Sequence, residues 1–331
     1  MDDADLSPCP FCPLHCDDVD VWGDDVASVC SLAAASVAAA SRRVVRGEMP
    51  TLPTRPRVVV TGAGLIRTRR LVAMHSAGDI ELLIERDVAA RAMHRGIVRD
   101  GTITATLGEI RRRADAAWLI GDFDRHLPRI TRYLHPDAAL HRSGSVTVED
   151  CLDPSGVLPN SFDAVRYAAV VIAPGAFGED FTAASIAAEL LLRWVRTRNF
   201  DDADRPRRAV LVPIGWANTV TATAWWTTNR SLHSGGGDID VRLGSPGPAP
   251  TPVKIQIGGL DPGETLAAAY VPAAMAGVDC GDQVVRGDGT VTLRLRPGPD
   301  ASPRTLPSAT DVLADAVGRS RNRVAATVRT S

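Results

Sequence analysis

Cys9, Cys12, Cys16 and Cys30 carry the densest chemistry in the sequence. Their spacing is C-x2-C-x3-C-x13-C, and the first three lie in a Pro-rich stretch. Four thiolates converging from one short segment suit a soft metal or an iron–sulfur cluster. Structural zinc sites generally pair two well-separated knuckles. Here three cysteines fall within eight residues and the fourth follows alone, which is closer to cubane ligation. A [4Fe–4S] cluster on Cys9, Cys12, Cys16 and Cys30 is therefore the first expectation. Zinc and an empty, vestigial loop are the alternatives. His15 is a zinc donor by type, but it stands between Cys12 and Cys16 and cannot easily point the same way as both. Asp17, Asp18, Asp20, Asp24 and Asp25 follow closely. Beside a cluster such acids stabilise its oxidised form and lower its potential. Without one they read as a solvated loop.

The redox state of these thiols follows from the compartment. The chain starts Met1-Asp2-Asp3-Ala4-Asp5, not a basic start followed by an apolar run. A cytoplasmic location is expected, and there a cysteine cluster reads as metal-binding or catalytic rather than as a disulfide framework. The longest small-residue stretch, Ala33 to Ala40, is far too short to span a membrane. The formal net charge of -2 gives no reason to expect nucleic acid as a partner. Lys254 is the single lysine, so nearly all positive charge is arginine. A chain of 331 residues suits two compact units or one large α/β unit.

The elements that must position the cysteines read as alternating strands and helices. An Ala-rich helix is expected over Ala34 to Arg43, then a Pro-rich connector over Met49 to Pro56. Arg57 to Val60 reads as a buried strand ending in the turn Thr61-Gly62-Ala63-Gly64, followed by a helix from Leu65 to His75 and a strand from Ile80 to Ile84. Arg67 stands where a dinucleotide fingerprint needs its third glycine, so a plain strand-to-helix turn is the better reading. Further helices are expected from Asp87, with Asp87 as N-cap, from Thr106 through Ala114, and over Arg129 to Leu134. Strands are expected at Ala116 to Ile120, Ala138 to His141 and Ser145 to Val148. The pattern repeats with a strand at Tyr167 to Ala173, a helix at Thr182 to Arg196, a strand at Ala209 to Ile214 and a helix at Asn218 to Thr228. Loops are expected at Gly235-Gly236-Gly237 and at Pro246 to Pro250. Strands at Lys254 to Gly258, Ala267 to Val271 and Thr290 to Arg294, then a helix from Ser308 to Val317, complete the chain. This is an α/β protein with Rossmann-like parallel-sheet lobes and an N-terminal cysteine loop. The expected divisions are a cysteine segment at 1–48, a first lobe at 57–155, a second lobe at 156–260 and a C-terminal segment at 261–331.

The run Cys9-Pro10-Phe11-Cys12-Pro13-Leu14-His15-Cys16-Asp17-Asp18 resembles the N-terminus of the metal-pterin subunit of formylmethanofuran dehydrogenase, a family related to molybdopterin oxidoreductases. Thr106-Leu107-Gly108-Glu109 and the following Ile110 to Asp115 are similar to the family's T-x-G-E-V-x-N-R-A-D segment. Gly121 and Pro128 to Tyr133 are similar to its G…P-R-H-x-S-R-Y. Tyr270 to Asp279, with Gly281, Arg286, Asp288 and Gly289, is similar to its I-P-V-A-T-P-G-I-D region. The resemblance implies a cluster loop and the molybdopterin oxidoreductase fold. It also implies partner subunits in tetrahydromethanopterin-linked one-carbon metabolism.

The departures narrow what is implied. The family places a protein cysteine or selenocysteine on its pterin metal, between the cluster loop and the T-x-G-E segment. No cysteine occurs here between Cys30 and Cys151. Losing that thiolate removes a strong soft ligand. A molybdopterin or tungstopterin is therefore not expected, and no residue is assigned a catalytic role. In these losses the chain is most similar to the dehydrogenase-related component of the bacterial formyltransferase/hydrolase complex, implying a non-catalytic scaffold. An active formylmethanofuran dehydrogenase component and a stand-alone iron–sulfur or zinc protein are the rival readings.

The remaining residues give no rival site. His94, His126, His135 and His141 are scattered, without an H-x-H pair, and there is no G-x-S-x-G. Cys151 and Cys280 read as interior thiols. Arg42-Arg43, Arg69-Arg70 and Arg111-Arg112-Arg113 could steer an acidic cofactor tail, but read better as solvated helix faces.

Overall fold

The computed structural model describes residues 7–62, 64–84, 87–158, 162, 164–200, 208–215, 218–230, 232–233, 238–245, 252–299 and 306–330. The expected loops at 235–237 and 246–250 lie outside these residues. The elements begin with α1 (Ser31–Ala40), β1 (Arg57–Val60), α2 (Leu65–Ser76), β2 (Glu81–Ile84), α3 (Val88–Asp100) and α4 (Leu107–Arg113). They continue with β3 (Ala116–Ile120), β4 (Ala139–Ser143), β5 (Tyr167–Ile172), α5 (Phe181–Phe200), β6 (Arg208–Pro213) and α6 (Asn218–Thr228). The last are β7 (Val241–Ser245), β8 (Val253–Gly259), β9 (Ala267–Val271), β10 (Asp282–Val285), β11 (Thr292–Leu295) and α7 (Ala309–Thr330).

The chain forms two compact units. One comprises the described residues within 1–85, 216–286 and 291–331; the other comprises those within 86–215 and 287–290. The first is built on a five-stranded sheet in the order β2-β1-β7-β8-β9, with every pairing parallel. The second holds a parallel four-stranded sheet in the order β4-β3-β5-β6. The protein is thus α/β with Rossmann-like parallel sheets, as the alternating pattern implied. The expected boundary between 155 and 156 does not divide these sheets, because β3 pairs with β5 within one four-stranded sheet. The chain leaves the first sheet after β2 and returns to it only at β7. Hydrophobic runs mark strands, but they do not say which strands will pair.

The runs are continuous because parallel strands are covered on both faces. In the first unit Val58, Val60, Leu82, Ile84, Leu243, Ile255 and Ile257 pack with Leu71 of α2 and Leu313 of α7. In the second unit Trp118, Ile120, Val170 and Ile172 pack with Met93 of α3 and Leu191 and Val195 of α5. Trp118, wholly buried, donates its indole N–H to Ser143 Oγ at 2.9 Å and meets Trp194 edge-on at 6.4 Å. Buried indoles usually find such a partner.

Several local expectations are corrected. Val148 starts a short helix, Val148–Leu152, rather than ending a strand. Thr147 Oγ1 accepts from the Asp150 amide, and the Asp150 carboxylate accepts from the Thr147 amide, a complete capping box. Ile130–Tyr133 is a 3-10 turn. β7 and β10 were not anticipated, and α7 runs on to Thr330. The turn after β1 is the plain one expected: Gly62 has φ of 70°, and Gly64 is the N-cap of α2.

Candidate functional site

The cysteine segment belongs to the first unit. Three prolines between residues 8 and 13 prevent a helix, and the chain closes on itself instead. The Cys9 amide donates to the Cys16 carbonyl at 2.8 Å, and the His15 amide donates to the Cys12 carbonyl at 3.1 Å. His15 adopts φ of 46°, a left-handed conformation that His tolerates better than most residues. Its Nδ1 lies 2.9 Å from the Cys9 carbonyl, so that nitrogen carries the proton. Burial pushes the imidazole down to about 4, which keeps it neutral near pH 7.

All four thiols are buried. The side-chain hydrogen bond with Cys16, then burial, then the nearby Cys9 thiol raise Cys12 well above an ordinary cysteine. The Cys12 thiol is held in its protonated form. Cys30 stands at the N-cap of α1 in an extended conformation, φ -156° and ψ 104°, and its thiol makes no cap hydrogen bond. The donor types suit a soft metal. Among the described residues no three His, Cys, Asp or Glu side chains are grouped to hold one metal ion; a [4Fe–4S] cluster instead takes one thiolate per iron, and Cys9, Cys12, Cys16 and Cys30 would be the residues to hold it. Asp17, Asp20, Asp24 and Asp25 are exposed, as a solvated loop requires.

The loop is seated on the segment that follows β9. Phe11 meets Trp22 edge-on at 6.4 Å. A Cβ at Gly277, where φ is 79°, would stand 2.7 Å from Cβ of Pro10, and one at Gly298 would stand 2.7 Å from the Trp22 ring. Both glycines let backbone approach the loop more closely than any side chain would permit.

Sequence reasoning missed the contact that anchors this segment. Arg43 donates from Nη2 to both carboxylate oxygens of Asp279, at 2.8 and 2.9 Å, and from Nη1 to the Ala273 carbonyl. The pair is nearly buried, with side chains 7% and 12% exposed. Asp279 also accepts from the Met275 amide at 2.8 Å. Arg43 is thus an internal tie and not part of a solvated face. The visible signal was an arginine following α1 and an aspartate in the family-like run, but their 236-residue separation gave no cue that they meet.

The other singled-out residues take structural roles. Asp288 Oδ2 accepts from the Leu107 amide at 3.0 Å and so caps α4 within the second unit. Thr106 Oγ1 accepts from the Glu109 amide at 2.9 Å. Arg113 lies over the Tyr167 ring and pairs with Glu109, while Arg111 and Arg112 are exposed. Arg70 pairs with Asp311. His94, His126, His135 and His141 form no metal-holding group among the described residues. Burial lowers His126, opposed by Asp122 and Asp87. Burial pushes the Cys151 thiol up to about 12. Cys280 is also raised by burial, although Arg67 Nη2 donates to its sulfur at 2.8 Å. Neither thiol is an activated nucleophile. Among the described residues no helix is long and apolar enough to cross a membrane.

No protein-family model matches the chain, and no curated protein matches it. A solved structure does: a chain of the formyltransferase/hydrolase complex FhcABCD from Methylorubrum extorquens, determined with methylofuran bound. That likeness covers 88% of this chain and 96% of that chain, with a TM-score of 0.53 and 15% sequence identity. At this identity the similarity is one of fold.

Proposed function

We propose that this chain is a non-catalytic, dehydrogenase-related component of a formyltransferase/hydrolase-type complex in tetrahydromethanopterin-linked one-carbon metabolism. The observation that carries the reading is the two-way coverage of the match, 88% and 96%, with a chain of such a complex. The motif resemblance over Cys9 to Asp18, Thr106 to Asp115 and Tyr270 to Asp279 supports the same family independently of the fold. The residues of those motifs cap helices and tie segments together, which supports a scaffold role over a chemical one. The reading assigns the chain partner subunits and leaves formyl transfer and hydrolysis to them.

Cys9, Cys12, Cys16 and Cys30 keep the donor chemistry of a [4Fe–4S] loop, and a cluster held by these four thiolates is part of the reading. Metal analysis of the anaerobically purified complex tests both points. The scaffold reading expects no stoichiometric molybdenum or tungsten. Either metal at one per chain would replace it with an active formylmethanofuran dehydrogenase component. Iron at four per chain, lost in Cys12→Ser, would assign the loop a cluster; an iron-free, colourless protein would leave it a packed thiol loop.

A further inference from the structure

The helix α6 turns two indoles to solvent. Trp225 and Trp226 are 54% and 64% exposed, on a chain only 5% aromatic. Two adjacent exposed tryptophans make an apolar patch that gains free energy when something covers it. The opposite side of α6 is fixed. Val220 and Ala224 are buried in the core of the first unit, the helix packs on α2, and Thr219 Oγ1 accepts from the Val285 amide at 2.9 Å. Thr223 and Thr228 donate their hydroxyls to the Thr219 and Ala224 carbonyls at 2.8 and 2.7 Å, and Thr227 donates to the Thr223 carbonyl. These bonds use the hydroxyls within the helix and restrict the threonine rotamers. The patch is a rigid platform, so covering it orders little that is not already ordered.

Charge decides what kind of surface fits it. Asn229, at φ of 53°, ends α6 with its amide on the Trp225 carbonyl at 2.9 Å, and Arg230 follows at once. Arg230 is exposed and makes no ion pair among the described residues, whereas Arg43, Arg46, Arg70 and Arg99 each hold a carboxylate. No acid occurs in the sequence between Asp204 and Asp238. A second copy of α6 therefore brings no carboxylate to Arg230. A membrane surface favours several cations around its indoles, and within 218–230 Arg230 is the single one.

We propose that Trp225 and Trp226 anchor a docking surface for another subunit, whose matching face offers an apolar pocket rimmed by carboxylates. This rests on the reading of the chain as a component of a complex and adds where a partner is held. Tryptophan and arginine are among the residues that carry most of the binding energy where proteins meet. Each side of a stable interface covers about 800 Å², so the two indoles form its centre rather than its whole.

The tagged chain, isolated with its subunits under mild conditions, tests this in three forms: unaltered, Trp225→Ala/Trp226→Ala and Arg230→Glu. The double variant is expected to lose a subunit that the unaltered chain retains, with affinity lower by about thirtyfold or more. Arg230→Glu weakens the same contact about tenfold. A benzophenone side chain introduced at Thr227 cross-links to that subunit, at a peptide containing Asp or Glu. Retention of every subunit by the double variant overturns the surface and leaves the complex reading standing, while an unaltered chain recovered alone overturns both. A cross-link to a second copy, or to a peptide without acids, also overturns the proposal. Should the unfolding midpoint of the double variant fall, Arg230→Glu and the cross-link decide.

Discussion

Arg43, read from sequence as part of a solvated helix face, is an internal tie to Asp279. Breaking a nearly buried, bidentate pair leaves a charge without its partner in low dielectric. Arg43→Ala is expected to cost about 3 kcal/mol in denaturant unfolding. Arg43→Lys keeps the charge but loses the fork, so it recovers only part of that stability. An unfolding midpoint unchanged by Arg43→Ala would refute the internal tie. His126 gives a pH signature at the same scale. Burial holds its folded imidazole below the unfolded value of about 6.5, so the unfolded chain binds more protons at mildly acid pH. The stability it contributes is present above that value and is lost as pH falls through the folded one. Guanidinium unfolding at pH 7 and pH 5 should show a smaller drop for His126→Asn than for the unaltered chain. Equal drops would remove His126 as a source of acid sensitivity. The histidine itself was visible in the sequence; its half-buried setting beside Asp122 and Asp87 was not, because those three residues meet only once the chain is folded.

Elements were legible where local chemistry decides them. The strands at β1, β3, β5 and β8 declared themselves by apolar runs bounded by glycine or proline, and Asp87 caps α3 as read, its Oδ1 accepting from the Ala90 amide at 2.8 Å. The capping box at Thr147–Asp150 was equally local, yet it was overridden by the β-branched run Val146-Thr147-Val148. β7 was missed because Arg242 interrupts its hydrophobic pattern. That arginine is wholly buried in the structure, which propensity does not anticipate. The four cysteines were legible as donors, but their common burial and the hydrogen bond between the Cys12 and Cys16 side chains were not. The cap supplied by Asp288 is testable at this scale. Asp288→Ala leaves the Leu107 amide without an acceptor in a buried setting and should cost about 1–3 kcal/mol. The loss should appear as faster amide exchange in the first turn of α4; exchange there unchanged would contradict the assignment.

At the scale of the whole molecule the chain is two parallel-sheet units, one interrupting the other. Reading strands in order suggested sequential lobes, because consecutive strands usually neighbour one another. The return of β7, β8 and β9 to β1 breaks that habit. The residues of the family-like runs lie on caps, ties and turns rather than on strand pairings. Membership of a larger complex is the proposed reading. The direct test is to isolate the tagged chain from its native cells under mild conditions and to identify and count the chains that remain bound. The account predicts a stable, stoichiometric hetero-oligomer containing formyltransferase-like and amidohydrolase-like chains. A monomer recovered without partners would contradict it.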